Sequence, residues 1–323
     1  MDNQLVTVAV TTYNSVDFVI ETLNSIVNQN YENIELVISD DFSEDGTIEV
    51  VEDWLSNETV KRRFSRVKFL KVKENTGISA NCNRCIRESS ADWIKFIAGD
   101  DILLPNCIES NMDFVRQNPD AEVVFSAIKM FEQTFDETHY IKTTPSEYPF
   151  NLMNPSFTAG DQWRILLESD RIHYTPSYFF KKQTIIDVGN YDEKNTLVED
   201  YPMWLKLTKS GVKLSYFNEP TVGYRIYKDL NDDTSIPEIF KPSLIAGYDT
   251  RKKFAHPDLI KIRIYNEAWN YRISKFFVEN GMNKSVSFYP FLYRAMTVYL
   301  NPFFYMDAVY RRIFHSLIKK THN

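Results

Sequence analysis

The chain has 323 residues, of which 43% are hydrophobic and 25% are charged, a composition typical of a globular protein with one large domain or two modest ones. A formal net charge of −7 argues against a general nucleic-acid binder. Three cysteines provide no disulfide framework, and no uncharged apolar run is long enough to span a membrane. Because the start of the chain lacks signal-peptide features, we expect a cytoplasmic protein.

Short β-rich runs alternate with segments of helical periodicity in the first third of the chain. Strands are predicted at residues 5–10, 34–38, 67–72 and 93–98, with helices from Ser15 as N-cap, through 48–55 and over 78–86. This alternation predicts a parallel, doubly wound α/β sheet. A further strand is predicted at 121–128, an irregular hairpin or loop at 129–155, and helices from residue 236 onward.

Polar loops follow three of these strands, at Thr11–Asn14, Asp40–Asp41 and Asp100–Asp101. The carboxyl ends of strands in an open α/β sheet form the edge where ligands bind. The paired carboxylates Asp100 and Asp101 suit a hard divalent cation that also holds substrate phosphates. For this pair alone, the competing interpretation is that Asp100 caps a helix starting near Pro105 and Asp101 is solvated. Neither a dinucleotide-binding glycine motif nor a P-loop is present.

Four segments stand in the order and spacing seen in family 2 glycosyltransferases, namely 8–14 (VAVTTYN), 39–47 (SDDFSEDGT), 75–77 (NTG) and 98–101 (AGDD). The chain resembles the inverting, bacterial polysaccharide-type members over roughly residues 5–230. The resemblance implies the α/β GT-A fold, with a doubly wound, mainly parallel sheet flanked by helices and a C-terminal helical extension. It divides the chain into a GT-A domain at 1–235, with a nucleotide-sugar half (1–130) and an acceptor half (131–235), and a helical region at 236–323.

The resemblance also implies roles for particular residues. The nucleotide pocket would contain Thr11, Tyr13, Asn14, Asp41, Asn75 and Asp100. Asp41 would accept a hydrogen bond from the base, and Asp101 would be the direct ligand of Mn²⁺ or Mg²⁺. Asp200, at the predicted start of a helix ending near Gly211, would be the catalytic base. Without the resemblance, Asp41 would be interpreted as a turn residue and Asp200 as an ordinary acid at a helix start.

Two positions depart from the family pattern. Cys82 and Asn83 stand where many relatives carry Arg-Asn, and Tyr224 and Arg225 are followed by Ile226 and Tyr227 where many relatives have a histidine shortly after the Tyr-Arg pair. A second contact to metal or phosphate through that histidine is therefore in question, and Arg225 or Lys228 is the alternative source of such a contact.

The expected activity is transfer of a sugar, with inversion, from a nucleoside diphosphate sugar (UDP-sugar favoured) to a saccharide or lipid-linked saccharide, in surface polysaccharide synthesis. One alternative is a nucleotidyltransferase, although no basic glycine-rich loop follows the first strand. The other alternative is a non-catalytic carbohydrate-binding protein on the same fold.

The C-terminal segment has a different character. Residues 283–323 contain six lysines and arginines against one acid, Asp307, and are rich in aromatics. A helix after Pro302 would place an apolar stripe (Met306, Val309, Tyr310, Ile313, Phe314, Leu317) beside cations (Arg311, Arg312, His315, Lys319). This pattern predicts either a peripheral position on an anionic membrane, at the inner face of the plasma membrane, or packing on the catalytic domain or a second subunit.

Overall fold

The computed structural model describes residues 4–149, 151–170, 172–194, 198–227, 237–240, 243–286 and 288–321, without the side chains of 243, 246 and 314–321. The chain divides into two compact units, Met1–Lys228 and Asp229–Asn323. The domain boundary predicted at residues 235–236 lies outside the described residues, as does Lys228.

The described strands of the first unit form one mixed sheet in the order β3-β2-β1-β4-β8-β6-β9-β5, with β7 paired to β6. The strands are β1 (Val6–Thr12), β2 (Ile34–Asp40), β3 (Arg66–Lys71), β4 (Trp93–Ala98), β5 (Ile102–Leu103), β6 (Val123–Glu132), β7 (Tyr140–Thr144), β8 (Phe179–Lys181) and β9 (Leu214–Ile226). The longest pairings, β1 with β2 and β4, β2 with β3, and β6 with β9, are parallel. The predicted α/β sheet of mainly parallel strands is thus confirmed, although β5, β7 and β8 pair antiparallel.

Helices of this unit connect the strands. They are α1 (Val19–Val27), α2 (Thr47–Ser56), α3 (Glu58–Arg63), α4 (Ile78–Glu88), α5 (Cys107–Gln117), α6 (Ala159–Glu168), α7 (Lys182–Asp187) and α8 (Asp200–Lys209). One predicted helix start is wrong. The carbonyl of Ser15 accepts the N–H groups of Phe18 and Val19, which makes a turn, so that Phe18 is the N-cap and α1 begins three residues later than predicted. The helix predicted near Pro105 is α5, which begins at Cys107 after the short strand β5 has paired with β9.

The region predicted as a hairpin or loop is resolved into a hairpin. Strand β6 continues beyond its predicted end to Glu132 and pairs antiparallel with β7. Strand β6 extends beyond its run of apolar residues because it also pairs with β9 along its whole length.

The register of the central strands positions the polar loops. Strands β1 and β2 are buried throughout, as is typical of parallel strands covered on both faces. Thr12 pairs with Asp40, and Thr11 pairs with Ala98. The loops that follow β1, β2 and β4 therefore lie side by side at one edge of the sheet.

The second unit is helical, as predicted. It contains α9 (Ser243–Phe254), α10 (Lys261–Glu279), α11 (Tyr289–Arg294), a π-helical turn (Ala295–Tyr299) and α12 (Phe304–Thr321). Buried polar groups connect these helices: Asp307, which is fully buried, accepts hydrogen bonds from Arg263 Nη1 at 3.0 Å and Asn266 Nδ2 at 2.7 Å. Within the described ranges, every helix is either too short or too polar to cross a lipid bilayer.

Gly99 allows the loop after β4 to lie directly against the loop after β1. A Cβ atom at Gly99 would lie 2.8 Å from Cγ2 of Thr12 and 3.3 Å from Oγ of Ser15. Thr12 cannot easily yield, since its hydroxyl donates to the buried Asp40 carboxylate at 2.8 Å.

We therefore expect Gly99→Ala to lower the free energy of unfolding by about 1–3 kcal/mol, the usual cost of overpacking. Gly160→Ala is the matched control, because its added Cβ finds no atom closer than 3.7 Å and alanine favours the α6 helix by about 0.5–1 kcal/mol. Urea unfolding followed by tryptophan fluorescence measures both. Equal stabilities of the two variants would contradict the close packing at Gly99.

Candidate active site

Two adjoining clefts lie at the carboxyl edge of the sheet in the first unit. The first, which we call the Asp41 cleft, has a volume of about 380 Å³ and is lined by residues that include Tyr13, Asp41, Asn75 and Asp100. The second, the Asp200 cleft, has a volume of about 480 Å³ and is lined by residues that include Asp101, Cys82, His173, Glu199 and Asp200. Thr11, Ile78 and Ala98 line both clefts, so the two spaces are contiguous.

Asp41 organises the Asp41 cleft through its hydrogen bonds. Its carboxylate accepts the N–H of Gly77 at 2.7 Å, the hydroxyl of Thr76 at 2.6 Å and Nη2 of Arg84 at 2.6 Å. The N–H of Thr76 is shared between both carboxylate oxygens at 3.1 and 3.2 Å. Asp41 is almost fully buried, so water competes little for these bonds. They hold the turn at Asn75–Gly77 against the wall of the cleft.

The other residues predicted for the nucleotide pocket divide into two groups. Thr11, Tyr13, Asn75 and Asp100 line the Asp41 cleft. Asn14 is not among its lining residues: its Oδ1 accepts the N–H of Glu44 at 3.0 Å, and its own N–H donates to Ser43 Oγ at 2.8 Å. Asn14 thus connects the loop after β1 to the loop after β2.

Asp101 is buried, with 2% of its surface exposed, so the competing interpretation of a solvated Asp101 is wrong. Its Oδ1 accepts the backbone N–H of Arg225 at 2.9 Å. Burial and the neighbouring Asp100 carboxylate raise the pKa of Asp101 well above its usual range. Asp100 instead accepts the Tyr227 hydroxyl at 2.8 Å. Tyr227 therefore bonds directly to the acid pair.

Arg225 is unavailable for the phosphate contact considered from the sequence. Its guanidinium lies between the rings of Phe18 and Phe135, 4.6 and 4.3 Å from their centroids. It also donates to the carbonyls of Asp100 and Gln133 and to the carboxylate of Glu21. With each of its three guanidinium nitrogens donating, Arg225 fixes the acid-pair loop in place.

The donor set of the acid pair suits a hard cation. Asp100 lines the Asp41 cleft and Asp101 lines the Asp200 cleft, so their carboxyl oxygens face adjoining spaces. The described side chains include no cluster of three or more carboxylates, histidines or cysteines that could enclose an ion. Two neighbouring carboxylates that oppose each other's ionisation fit Mn²⁺ or Mg²⁺ of the kind that completes its ligands with water and substrate phosphate.

Glu199 and Asp200 lie together at the start of α8 and line the Asp200 cleft. Burial, with the neighbouring Asp200 carboxylate, raises the pKa of Glu199 to about 7. Burial also raises the pKa of Asp200, although the Thr175 hydroxyl donates to its Oδ2 at 2.9 Å and favours the charged form. Neither carboxylate forms an ion pair with another described residue.

A buried lysine supports the turn that carries Thr175. Lys95, on β4, has no exposed surface, and its Nζ donates to the carbonyls of Pro176 and Tyr178 at 2.5 and 3.2 Å. Burial lowers the pKa of Lys95 to about 8. The central sheet therefore positions the hydroxyl that bonds Asp200.

The sequence interpretation assigned no role in this arrangement to four residues: Arg84, Lys95, Thr175 and Tyr227. Arg84 could have been found, because it lies on the helix that begins at the Gly77 turn and donates to Thr76 of that turn. Thr175 contacts Asp200 across 25 residues, Lys95 contacts Pro176 across 81 and Tyr227 contacts Asp100 across 127, and no local pattern indicates such contacts.

The proximity of Glu199 to Asp200 predicts a pH-dependent stability. A carboxyl group whose pKa rises from 4.5 to about 7 on folding destabilises the folded state once it must ionise there. This loss of folding stability grows as the pH rises from 4.5 to about 7, and it is complete above that range. We expect Glu199→Gln to be more stable than the wild type at about pH 8, with the difference disappearing near pH 4.

Urea unfolding at both pH values checks this expectation, and Glu137→Gln, at an exposed loop position, is the control that should show no such difference. A stability gain that is independent of pH would mean that Glu199 is not protonated on folding.

The chain is similar to known glycosyltransferases. The profile of "Glycosyl transferase family 2" matches residues 7–182, more than half of the chain. An uncharacterized glycosyltransferase of Methanocaldococcus jannaschii is 25% identical over 250 residues, covering 77% of this chain and 79% of the relative. One from Rickettsia typhi is 25% identical over 288 residues, covering 87% and 82%.

The fold resembles that of S. aureus TarS. A structure of TarS residues 1–349 in complex with UDP-GlcNAc matches with a TM-score of 0.57 at 15% identity, covering 92% of this chain and 81% of that one. The longer TarS chain matches with a TM-score of 0.55 at 17% identity, and this chain spans 46% of it. The expected GT-A fold is confirmed, and the profile match shows that the chain belongs to glycosyl transferase family 2.

Proposed function

We propose that this chain transfers a sugar, with inversion at the anomeric carbon, from a nucleoside diphosphate sugar to an acceptor hydroxyl. The observation that carries the proposal is the contiguity of the two clefts. Polar loops and Asp100 line the Asp41 cleft, Asp101 and the Asp200 carboxyl of raised pKa line the other, and the two clefts meet at a boundary formed by Thr11, Ile78 and Ala98. A donor bound across this boundary would direct its sugar towards Asp200.

The nucleotide belongs in the Asp41 cleft, and we favour uridine. TarS has been solved in complex with UDP and with UDP-GlcNAc, which supports this choice by analogy of fold. The two oxygens of Asp41 accept about four hydrogen bonds and already have four donors. An N–H of the base would therefore replace one of them, the N–H of Thr76, whose bonds to Asp41 are the longest. Thr11, Tyr13, Asn75 and Asp100 would line the rest of the pocket, and Asn14 would maintain its loop.

The acid pair would hold Mn²⁺ or Mg²⁺, with Asp101 as the direct ligand. The bound ion would supply positive charge that stabilises the departing diphosphate. The residues prepare this site in two ways. The Arg225 N–H fixes the orientation of the Asp101 carboxylate, and the Tyr227 hydroxyl fixes that of the Asp100 carboxylate.

Asp200 would act as the general base. As the acceptor oxygen forms its bond to the anomeric carbon, the bond to the diphosphate oxygen breaks and the acceptor proton passes to Asp200. Its raised pKa makes Asp200 a stronger proton acceptor than an exposed aspartate. The Thr175 hydroxyl and the Tyr201 N–H donate to Asp200 and favour its charged form, so we place the negative charge of the pair on Asp200. A base on the face opposite the leaving group gives inversion.

The acceptor would be a saccharide or a lipid-linked saccharide, in surface polysaccharide synthesis. His173 and Cys82 line the Asp200 cleft where an acceptor would enter. A cytoplasmic protein, located peripherally on the inner face of the plasma membrane or associated through its C-terminal helices, would suit a lipid-linked acceptor.

Calorimetry of UDP binding with and without Mn²⁺ tests the donor site. We expect Mn²⁺ to increase the affinity for UDP in the wild type and Asp101→Asn to remove that increase, a change of more than about tenfold. Asp187→Asn, at the end of α7, is the control. If UDP binds Asp101→Asn equally well in Mn²⁺, Asp101 is not the ligand.

Release of nucleoside diphosphate from a panel of nucleotide sugars tests the reaction. Wild-type protein should turn over at least one donor in Mn²⁺ or Mg²⁺. Asp200→Asn preserves shape but loses the proton acceptor, so we expect turnover to fall by about a hundredfold or more with nearly unchanged UDP affinity. If no nucleotide sugar binds or turns over, the proposal fails; wild-type turnover in Asp200→Asn would transfer the role of base to Glu199.

A further inference from the structure

Helix α12 buries its one acidic residue and exposes a row of apolar ones. The carboxylate of Asp307 is fully buried in its bonds to Arg263 and Asn266, as described above. Along the opposite side, successive apolar residues remain exposed at helical spacing. Their exposed fractions are 56% for Tyr305, 62% for Met306, 60% for Val309 and 56% for Ile313.

The exposed apolar surface continues before the helix. Tyr299 and Leu300 are 55% and 68% exposed, and Pro302 is exposed as well. We call these three residues, together with Tyr305, Met306, Val309 and Ile313, the α12 stripe. Of the stripe predicted from the sequence, Met306, Val309 and Ile313 are exposed, whereas Tyr310 is partly buried. The side chains of Phe314, His315, Leu317 and Lys319 lie outside the described residues.

A continuous apolar surface of this kind is uncommon on a protein that meets only water. Apolar area left in water costs about 25 cal/mol per Å², so a partner that covers the stripe is favoured. The pair of Arg263 and Asp307 fixes the orientation of α12. If the helix rotated about its axis to bury the stripe, Arg263 would remain buried without Asp307 as its partner.

The charges around the stripe indicate the chemistry of the partner. Residues 288–313 contain three arginines and a single acid, Asp307, which is buried and paired. Arg312 is exposed on the same helix, and the guanidinium of Arg294 lies 5.9 Å from the ring centroid of Tyr299. The exposed charge beside the stripe is therefore positive.

We infer that the α12 stripe inserts into the surface of an anionic lipid bilayer, with the neighbouring arginines against the lipid phosphates. A second copy of the chain is a poorer partner for this face, because a two-fold interface would bring the same arginines together. Lipid phosphates neutralise them instead, and tyrosines suit the boundary between water and acyl chains. The helix would lie in the membrane plane, since none of the described helices can span it.

The inference decides between the two C-terminal partners named under the proposed function, and it is independent of catalysis, because vesicle binding requires neither donor nor acceptor. Its failure would leave the transfer reaction intact, and failure of the reaction would leave lipid binding intact.

Flotation of the full-length protein with vesicles tests the inference. We expect binding to phosphatidylcholine vesicles that contain phosphatidylglycerol, and little binding to phosphatidylcholine alone. High salt should weaken the binding, and Arg312→Gln should weaken it about fivefold at low salt. The double variant Met306→Glu, Val309→Glu should reduce it more strongly, because it places carboxylates in the middle of the stripe.

Ile141→Glu, which changes a 47% exposed isoleucine on β7, is the matched control and should bind vesicles as the wild type does. Circular dichroism and urea unfolding establish that each variant is folded. Failure of the wild type to bind anionic vesicles at low salt would overturn the inference. So would equal binding by the double variant, or light scattering that shows a dimer which Val309→Glu converts to a monomer.

Discussion

The register between β1 and β2 is the constraint on which the site depends, and buried hydrogen bonds fix it at both ends. At the start, the Thr7 hydroxyl donates to the buried Glu35 carboxylate, which also receives Arg66 from β3 and the N–H of Ser90. At the end, the Thr12 hydroxyl donates to Asp40. A slip of one residue would direct these polar side chains to the opposite face of the sheet. The loop that carries Asp41 therefore has one position relative to the loop that carries Tyr13.

The distribution of charge around the clefts follows from how the cations are held. Arg84 neutralises Asp41, and the guanidinium of Arg225 is enclosed by two aromatic rings. The remaining acids, Asp100, Asp101, Glu199 and Asp200, meet mainly neutral donors among the described residues. In a partly buried site this excess of negative charge raises proton affinity and favours a bound cation. One electrostatic condition thus accounts for both the proposed metal site and the proposed general base.

The sequence predicted what depends on periodicity and local motifs. The alternation of strands and helices indicated the sheet, and the loop motifs indicated the edge at which Asp41, Asp100 and Asp101 lie. Helix starts were less predictable, because Ser15 has the side chain of an N-cap but its carbonyl forms a turn instead. The antiparallel strand β8 is three residues long and too short to give a pattern.

Contacts between distant segments were beyond prediction for a different reason. Tyr227 reaches Asp100 across 127 residues, and Lys95 reaches Pro176 across 81, so these contacts exist only once the sheet has assembled. The outward side of α12 is a similar case. Periodicity identified its apolar residues. It could not show that Asp307, on the opposite side of α12, would be buried in an ion pair with Arg263 of α10.

A crystal structure of the protein with UDP and Mn²⁺ tests the central claim, that the two clefts form one donor and transfer site, most directly. The account predicts Mn²⁺ on the carboxylate of Asp101, the diphosphate between that ion and the boundary of the clefts, and the uracil beside Asp41. It also predicts an open path from the terminal phosphate to Asp200. Mn²⁺ bound away from Asp101, or UDP bound outside the Asp41 cleft, would contradict it.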